Sequence, residues 1–470
     1  MQQHLTILLF FIGGIFASLI GPTPPSQDDF YSPPIGYEGK PNGAILKHRN
    51  APAKLTAVFG GAVNVKNFWQ ILVKSEDIHG NPQAVAAAII EPYNASPDKV
   101  VSYQTFEDAS NIDCSPTYAM LQGANIRTIL TGEEVLLFTP LLDQGYYVIV
   151  PDYEGPQSAF TVGWQSAKGV LDSVRGALNS GNFSGIASDA STVLWGYSGG
   201  ALASGWAVAA QHLYAPDLDD RIIGAAFGGF VTNITAVAEA ANGAQWAGLI
   251  GNAIAGIVKI YPESGNFLET YRNDKNNFWV NNLPNYCLLD SFLLFQNATF
   301  FGNDDKSVYN GGLEVLNKEP LKSMLEEIGL EYQNSTLLPR APVFIYHGRK
   351  DDIVPFADVE RVYNNWCEWG VDSLELAIDE TYLHSEELYI GAPAAVAWIT
   401  KRFEGEEPVK GCSKQSYTDT LDYPNVEDSL KKYFTGILRD LGGSPVGPNA
   451  KSANDVAENL KRVKPSNPWQ

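Results

Sequence analysis

Gly196-Tyr197-Ser198-Gly199-Gly200 fits the pattern G-x-S-x-G, in which a serine on a strained strand-to-helix turn presents its hydroxyl as a nucleophile. The five letters recur by chance, and their flanks give them weight. STVLW directly before them is a strand-like run, and ALASGWAVAAQ directly after is helical in character. That is the strand, turn and helix setting a nucleophile elbow requires, with small residues where neighbouring chains must approach the serine. A serine hydroxyl attacks only when a base accepts its proton, so the elbow calls for a histidine and for a carboxylate to orient it.

In proteins built around such an elbow the acid follows the serine in the chain and the histidine follows the acid. Of the six histidines, His4 lies in an apolar leader, while His48 and His79 precede the serine. His212 falls in the helical pattern after the elbow, and His347 precedes its nearest downstream acid pair. Only His384, in a loop expected at ETYLHSEEL, satisfies the order. Asp351 and Asp352 sit in the turn GRKDDIVP, just past the strand-like APVFIYHG, and either is placed to steady an imidazolium. The developing oxyanion needs backbone donors. Gly199 N–H, immediately after the nucleophile, is one; the other is expected from TFEDASNIDCSPTY (105–118), which follows VVSYQ.

These residues need a scaffold that brings distant segments together. Short β-branched runs at 71–77, 84–92, 100–105, 146–153, 191–196, 222–228 and 341–348 alternate with helical stretches such as 168–179 and 200–215. The alternation predicts an α/β fold, a mostly parallel sheet flanked by helices, with its site at the carboxyl ends of the strands. Residues 22–50 read as an irregular arm. The rhythm breaks over 230–335, where Ala- and Gly-rich apolar helical pieces predict a helical cap or lid insertion into a core of 22–229 and 336–440. The last stretch, 441–470, is a polar extension.

The net charge of −21 repels phosphate backbones and excludes a nucleic-acid partner. Leu5–Ile20 is an uncharged run too short for a typical membrane span and followed at once by GPTPPSQ, which predicts a signal peptide over 1–21 and an extracellular destination. Five glycosylation sequons, at Asn94, Asn182, Asn233, Asn297 and Asn334, agree with export. Cys114, Cys287, Cys367 and Cys412 are even in number and lack CxxC spacing, so two disulfides are expected rather than a metal site, with three pairings open. No metal or cofactor motif is present, and neither is expected.

The ordered blocks YQTFEDASNIDCSPTY, QGYYVIVPDYEGP, GYSGGA, YHGRKDDIVP and the histidine segment before AVAWITKRFEG resemble the fungal secretory lipases of the Candida antarctica lipase A type. The likeness runs from the DDFY arm to about residue 415. It implies an α/β-hydrolase fold with Ser198, Asp351 and His384 as the triad, choosing Asp351 over Asp352. It also implies Asp108 with Gly199 as oxyanion donors, and disulfides Cys114–Cys287 and Cys367–Cys412. The cap, covering an acyl-binding tunnel, departs from the family pattern and leaves chain-length preference open. The expected activity is hydrolysis of triacylglycerols or other acyl esters at a lipid–water interface through an acyl-enzyme, with no obligate protein partner. A carboxylesterase or acyltransferase on shorter soluble esters, a serine peptidase, and a non-catalytic binding protein on a hydrolase scaffold are the alternatives.

Overall fold

The computed structural model describes residues 21–57 and 62–441. The expected leader and tail lie outside the described residues, apart from Gly21 and Leu441 at their borders. Ten strands form one sheet: β1 (Ile45–Asn50), β2 (Asn67–Glu76), β3 (Pro82–Glu91), β4 (Ser96–Gln104), β5 (Tyr146–Pro151), β6 (Ser191–Tyr197), β7 (Ile222–Gly228), β10 (Val343–Gly348), β11 (Ser373–Asp379) and β12 (Gly411–Tyr417). Two-residue strands β8 (Phe301–Gly302) and β9 (Tyr309–Asn310) pair separately. The order across the large sheet is β1-β2-β3-β5-β4-β6-β7-β10-β11-β12. The β1, β2, β3 and β5 pairings are antiparallel, and every pairing from β5 through β12 is parallel.

The central strands read as continuous apolar runs because helices cover both faces. Successive side chains on one strand serve opposite layers. Leu194 of β6, Ala225 of β7 and Ile345 of β10 pack with the helices Gly163–Leu178 and Gly199–Tyr214. Val193 and Trp195, Ala226, and Phe344 pack with Val135–Asp143 and Ala392–Glu404. Since β7 and β10 are adjacent parallel partners, residues 229–342 are an excursion from the sheet. It contains the helices Ile234–Ala241, Gly248–Ile260, Pro262–Glu269, Asn277–Asn282, Leu288–Leu294 and Leu321–Ile328.

Three strands depart from the pattern expected at the sequence level. β1 occupies the end of the supposed irregular arm. Its sequence ILKHRN carries four basic or polar side chains because it is a half-exposed edge strand paired only with β2. β12, GCSKQSY, is the opposite edge and is equally polar. β11, SLELAID, lies inside the sheet, but its charged Glu375 breaks the apolar run; that carboxylate accepts from Trp398 Nε1 and from Tyr423 Oη.

Candidate active site

The elbow is built by β6 and the helix Gly199–Tyr214. Ser198 sits between them at φ 53°, ψ −119°, a strained conformation for a residue with a side chain. Its amide donates to Gly228 O of the neighbouring strand at 2.9 Å. A Cβ on Gly200 would lie 1.9 Å from Gln104 O, so only glycine lets the helix start this close to β4.

Three segments converge on the serine hydroxyl. Ser198 Oγ donates to His384 Nε2 at 2.9 Å, and His384 Nδ1–H donates to Asp351 Oδ2 at 2.6 Å. Asp351 follows β10 and is fixed on its other oxygen, Oδ1, by the amides of Ile353 at 3.0 Å and Val354 at 2.7 Å. Its carboxyl is fully buried, yet held below the usual aspartate value: desolvation opposes ionisation, and the charge and hydrogen bond of His384 outweigh it. His384 is the reciprocal case, since burial disfavours its cation and Asp351 more than compensates, raising it above 6.5. The adjacent Asp352 takes a different part, accepting the main-chain N–H of His384 at 3.2 Å.

His384 does not lie in a loop as expected; it opens the short helix His384–Ile390. Its main-chain carbonyl accepts from Tyr197 Oη at 2.7 Å, and the two rings stand 5.1 Å apart. Tyr197, the variable position of the elbow, thus buttresses the histidine, a role no sequence pattern marked. His347, set aside on chain order, lies in the same shell, with Nε2 3.5 Å from Asp351 Oδ2 and 3.1 Å from Val354 O. Its Nδ1 accepts from Phe230 N–H at 3.2 Å. Burial lowers its pKa and keeps it neutral, so it is a hydrogen-bonding spacer under the aspartate.

Gly199 N–H lies in the first turn of its helix, where amides have no intrahelical acceptor. Facing it is Asp108, at φ 48° in the loop after β4. Asp108 Oδ1 stands 1.9 Å from where a Gly199 Cβ would be. Burial pushes the Asp108 carboxyl up to about 7, against a smaller opposing effect from His384. From this corner a narrow apolar cavity extends. Asp108 and Gly199 stand in its wall, and the 229–342 excursion contributes Ile254, Leu268, Leu321 and Leu325.

Cys114 is bonded to Cys287 and Cys367 to Cys412, with Cα separations of 5.6 and 6.0 Å. The first joins the loop after β4 to the excursion; the second joins the helix Phe356–Glu368 to β12. Of the sequon asparagines, Asn94, Asn182, Asn297 and Asn334 are exposed. Asn233 must be removed from the glycan candidates. It is 7% exposed, its Nδ2 donates to Tyr332 Oη at 3.1 Å, and its Oδ1 caps a helix by accepting from Ala236 N–H.

The sheet order, the elbow after β6 and the helices on both faces define an α/β-hydrolase. Residues 120–411 match the model of the Secretory lipase family. The chain is 46% identical to Lipase 1 of Candida albicans over 462 residues, 98% of each chain, and 44% identical to Lipase 5 of the same yeast over 459 residues, again 98% of each. The X-ray structure of Candida antarctica lipase A superposes with a TM-score of 0.78 at 25% identity, covering 92% of this chain and 100% of that one. The chain belongs to the secretory lipase family.

Proposed function

We propose that the protein is an extracellular lipase that hydrolyses long-chain acyl esters, triacylglycerols among them, with Ser198, His384 and Asp351 as its catalytic residues. The observation that carries the reading is the continuous hydrogen-bonded relay from Asp351 through His384 to Ser198 beside an apolar cavity. Ser198 Oγ attacks the ester carbonyl while His384 Nε2 takes its proton, and Asp351 stabilises the imidazolium. The negative charge on the carbonyl oxygen falls between the amides of Gly199 and Asp108. His384 then protonates the departing alcohol; water repeats the cycle in reverse and frees the fatty acid.

In this reading the 230–335 insertion is a cap whose apolar side chains shelter the acyl chain. The expected leader at 1–21 and the four exposed sequons support secretion in this reading, and a lipid–water interface is the working environment. A fluorophosphonate probe should label the wild type and not Ser198→Ala, and the wild type should turn over emulsified long-chain triacylglycerol faster than a soluble short-chain ester. Labelling without emulsion activity would make the protein a carboxylesterase; no labelling would end the hydrolase reading.

A further inference from the structure

The loop that carries Asp108 is gripped by the insertion at several points. Asn252, on the helix Gly248–Ile260, is fully buried and its Nδ2 donates to the main-chain oxygen of Asp108 at 2.7 Å. Lys259, two turns further along the same helix, donates from Nζ to Ser110 O and, at 2.8 Å, to Gln157 O. The Cys114–Cys287 disulfide closes the same loop onto the residue that begins the helix Leu288–Leu294.

The Asn252 contact is the one aimed at Asp108 itself, and its direction is fixed. An amide side chain offers N–H on one side and oxygen on the other. Ser291 Oγ, on the helix Leu288–Leu294, donates to Asn252 Oδ1 at 2.6 Å. The Asp108 main-chain oxygen can only accept, so the NH₂ group must face it, which leaves the Asn252 oxygen for the Ser291 hydroxyl. Both partners are fully buried, where water cannot replace a lost hydrogen bond.

Asp108 needs such a hold. Its φ of 48° lies in the left-handed region, and a non-glycine residue stays there only when its surroundings over-determine it. Released, the backbone gains by returning to negative φ, which reorients the peptide groups on either side of Asp108.

We propose that Asn252 is a positioning residue for ester hydrolysis: by holding the carbonyl of Asp108 it keeps the Asp108 N–H turned toward the reacting carbonyl. This rests on the reading of Asp108 and Gly199 as oxyanion donors. Its consequence is that the insertion, besides covering substrate, completes the catalytic centre, so the donor pair exists only with the helix Gly248–Ile260 seated.

The test uses the full-length enzyme, a soluble short-chain ester and a trifluoromethyl ketone, whose adduct with Ser198 places an oxyanion between the two amides. Asn252→Leu keeps the approximate volume and removes the donor to the Asp108 carbonyl. It should lose about 10- to 100-fold in kcat with KM within about twofold, the signature of an interaction made in the transition state. Ketone affinity should fall by the same factor as kcat/KM, as expected for a transition-state mimic. Ser291→Ala, a milder change that leaves the buried Asn252 oxygen without its donor and loosens the side chain, should move both quantities the same way by about three- to tenfold. Loss of thermal stability in both variants with ketone affinity at the wild-type value overturns the proposal and leaves the oxyanion reading standing. A wild type that binds the ketone no better than Ser198→Ala does overturns both.

Discussion

Replacing Asp351 by asparagine isolates what the carboxylate does for His384, and the neighbouring Asp352 supplies the control. Asp351 Oδ2 receives the ring Nδ1–H at 2.6 Å, while Oδ1 is occupied by two amides. An asparagine that keeps its oxygen on those amides turns its NH₂ toward Nδ1. The ring must then carry its proton on Nε2, where it opposes the Ser198 hydroxyl instead of accepting from it. Loss of the correct tautomer costs about ten-thousand-fold in kcat, or about 5.5 kcal/mol of transition-state stabilisation. Asp352→Asn retains an oxygen for the His384 main-chain N–H, its contact with that residue at 3.2 Å, and should stay within about threefold of wild type. Turnover of a soluble chromogenic ester, normalised to serine content by active-site titration, measures both. The pH profile adds an independent sign. The base must be neutral to accept a proton, so activity rises with pH through the pKa of His384, which Asp351 holds above 6.5; in Asp351→Asn the acid limb should move down. If Asp351→Asn stays within about tenfold of wild type while Asp352→Asn loses orders of magnitude, the orienting acid has been misassigned.

Leu325→Trp puts an indole into the cavity wall; kcat/KM for long-chain esters should fall by about tenfold or more with short-chain esters unaffected, and an equal fall for both would show that the cavity does not hold the acyl chain. The buried acids set a pH window for stability: Asp108, Glu133 and Asp152 are each raised to about 7, chiefly by burial. A folded-state pKa above the unfolded value gives stability that is complete below the unfolded pKa and lost as pH rises through the folded one. The melting temperature should therefore decline from about pH 4 to about pH 8, and a rise across that window would contradict the burial of these groups as neutral acids.

The parallel centre of the sheet was legible because its strands are buried on both faces and so are written as unbroken Val, Ile and Ala runs. The edges were not, since β1 and β12 meet solvent and are composed like loops. Ser198 stood out because an elbow imposes small residues at fixed spacing. His384 emerged by chain order alone, as its own surroundings look like any polar turn. Local pattern left Asp351 and Asp352 equivalent; what separates them in space is which carboxylate meets the ring and which meets the main chain. Tyr197, His347 and Asn252 left no signal, because their value lies in contacts with residues 117 to 187 positions away, or, for the His347 link to Asp351, in a pair that chain order alone set aside.

The acids around the site show how a chain of net charge −21 keeps one negative charge where an imidazolium forms. Glu134 is fully buried and receives two donors, Tyr103 Oη and Phe106 N–H, yet its pKa stays well above the ordinary value. Asp152 also receives two, both from Thr117, and is still raised to about 7. Two neutral donors therefore do not offset desolvation in this interior. Asp351 has the same two-donor support from Ile353 and Val354, plus His384, and it alone of the three is lowered. The decisive difference is a partner that becomes a cation. Were the surrounding acids ionised as well, their repulsion would be spread over the loop bearing Asp108 and over any oxyanion formed beside it. Asp351 is thus the main support of the imidazolium, with smaller contributions from Asp352 and Asp108, while burial holds Glu134 well above the ordinary carboxyl value.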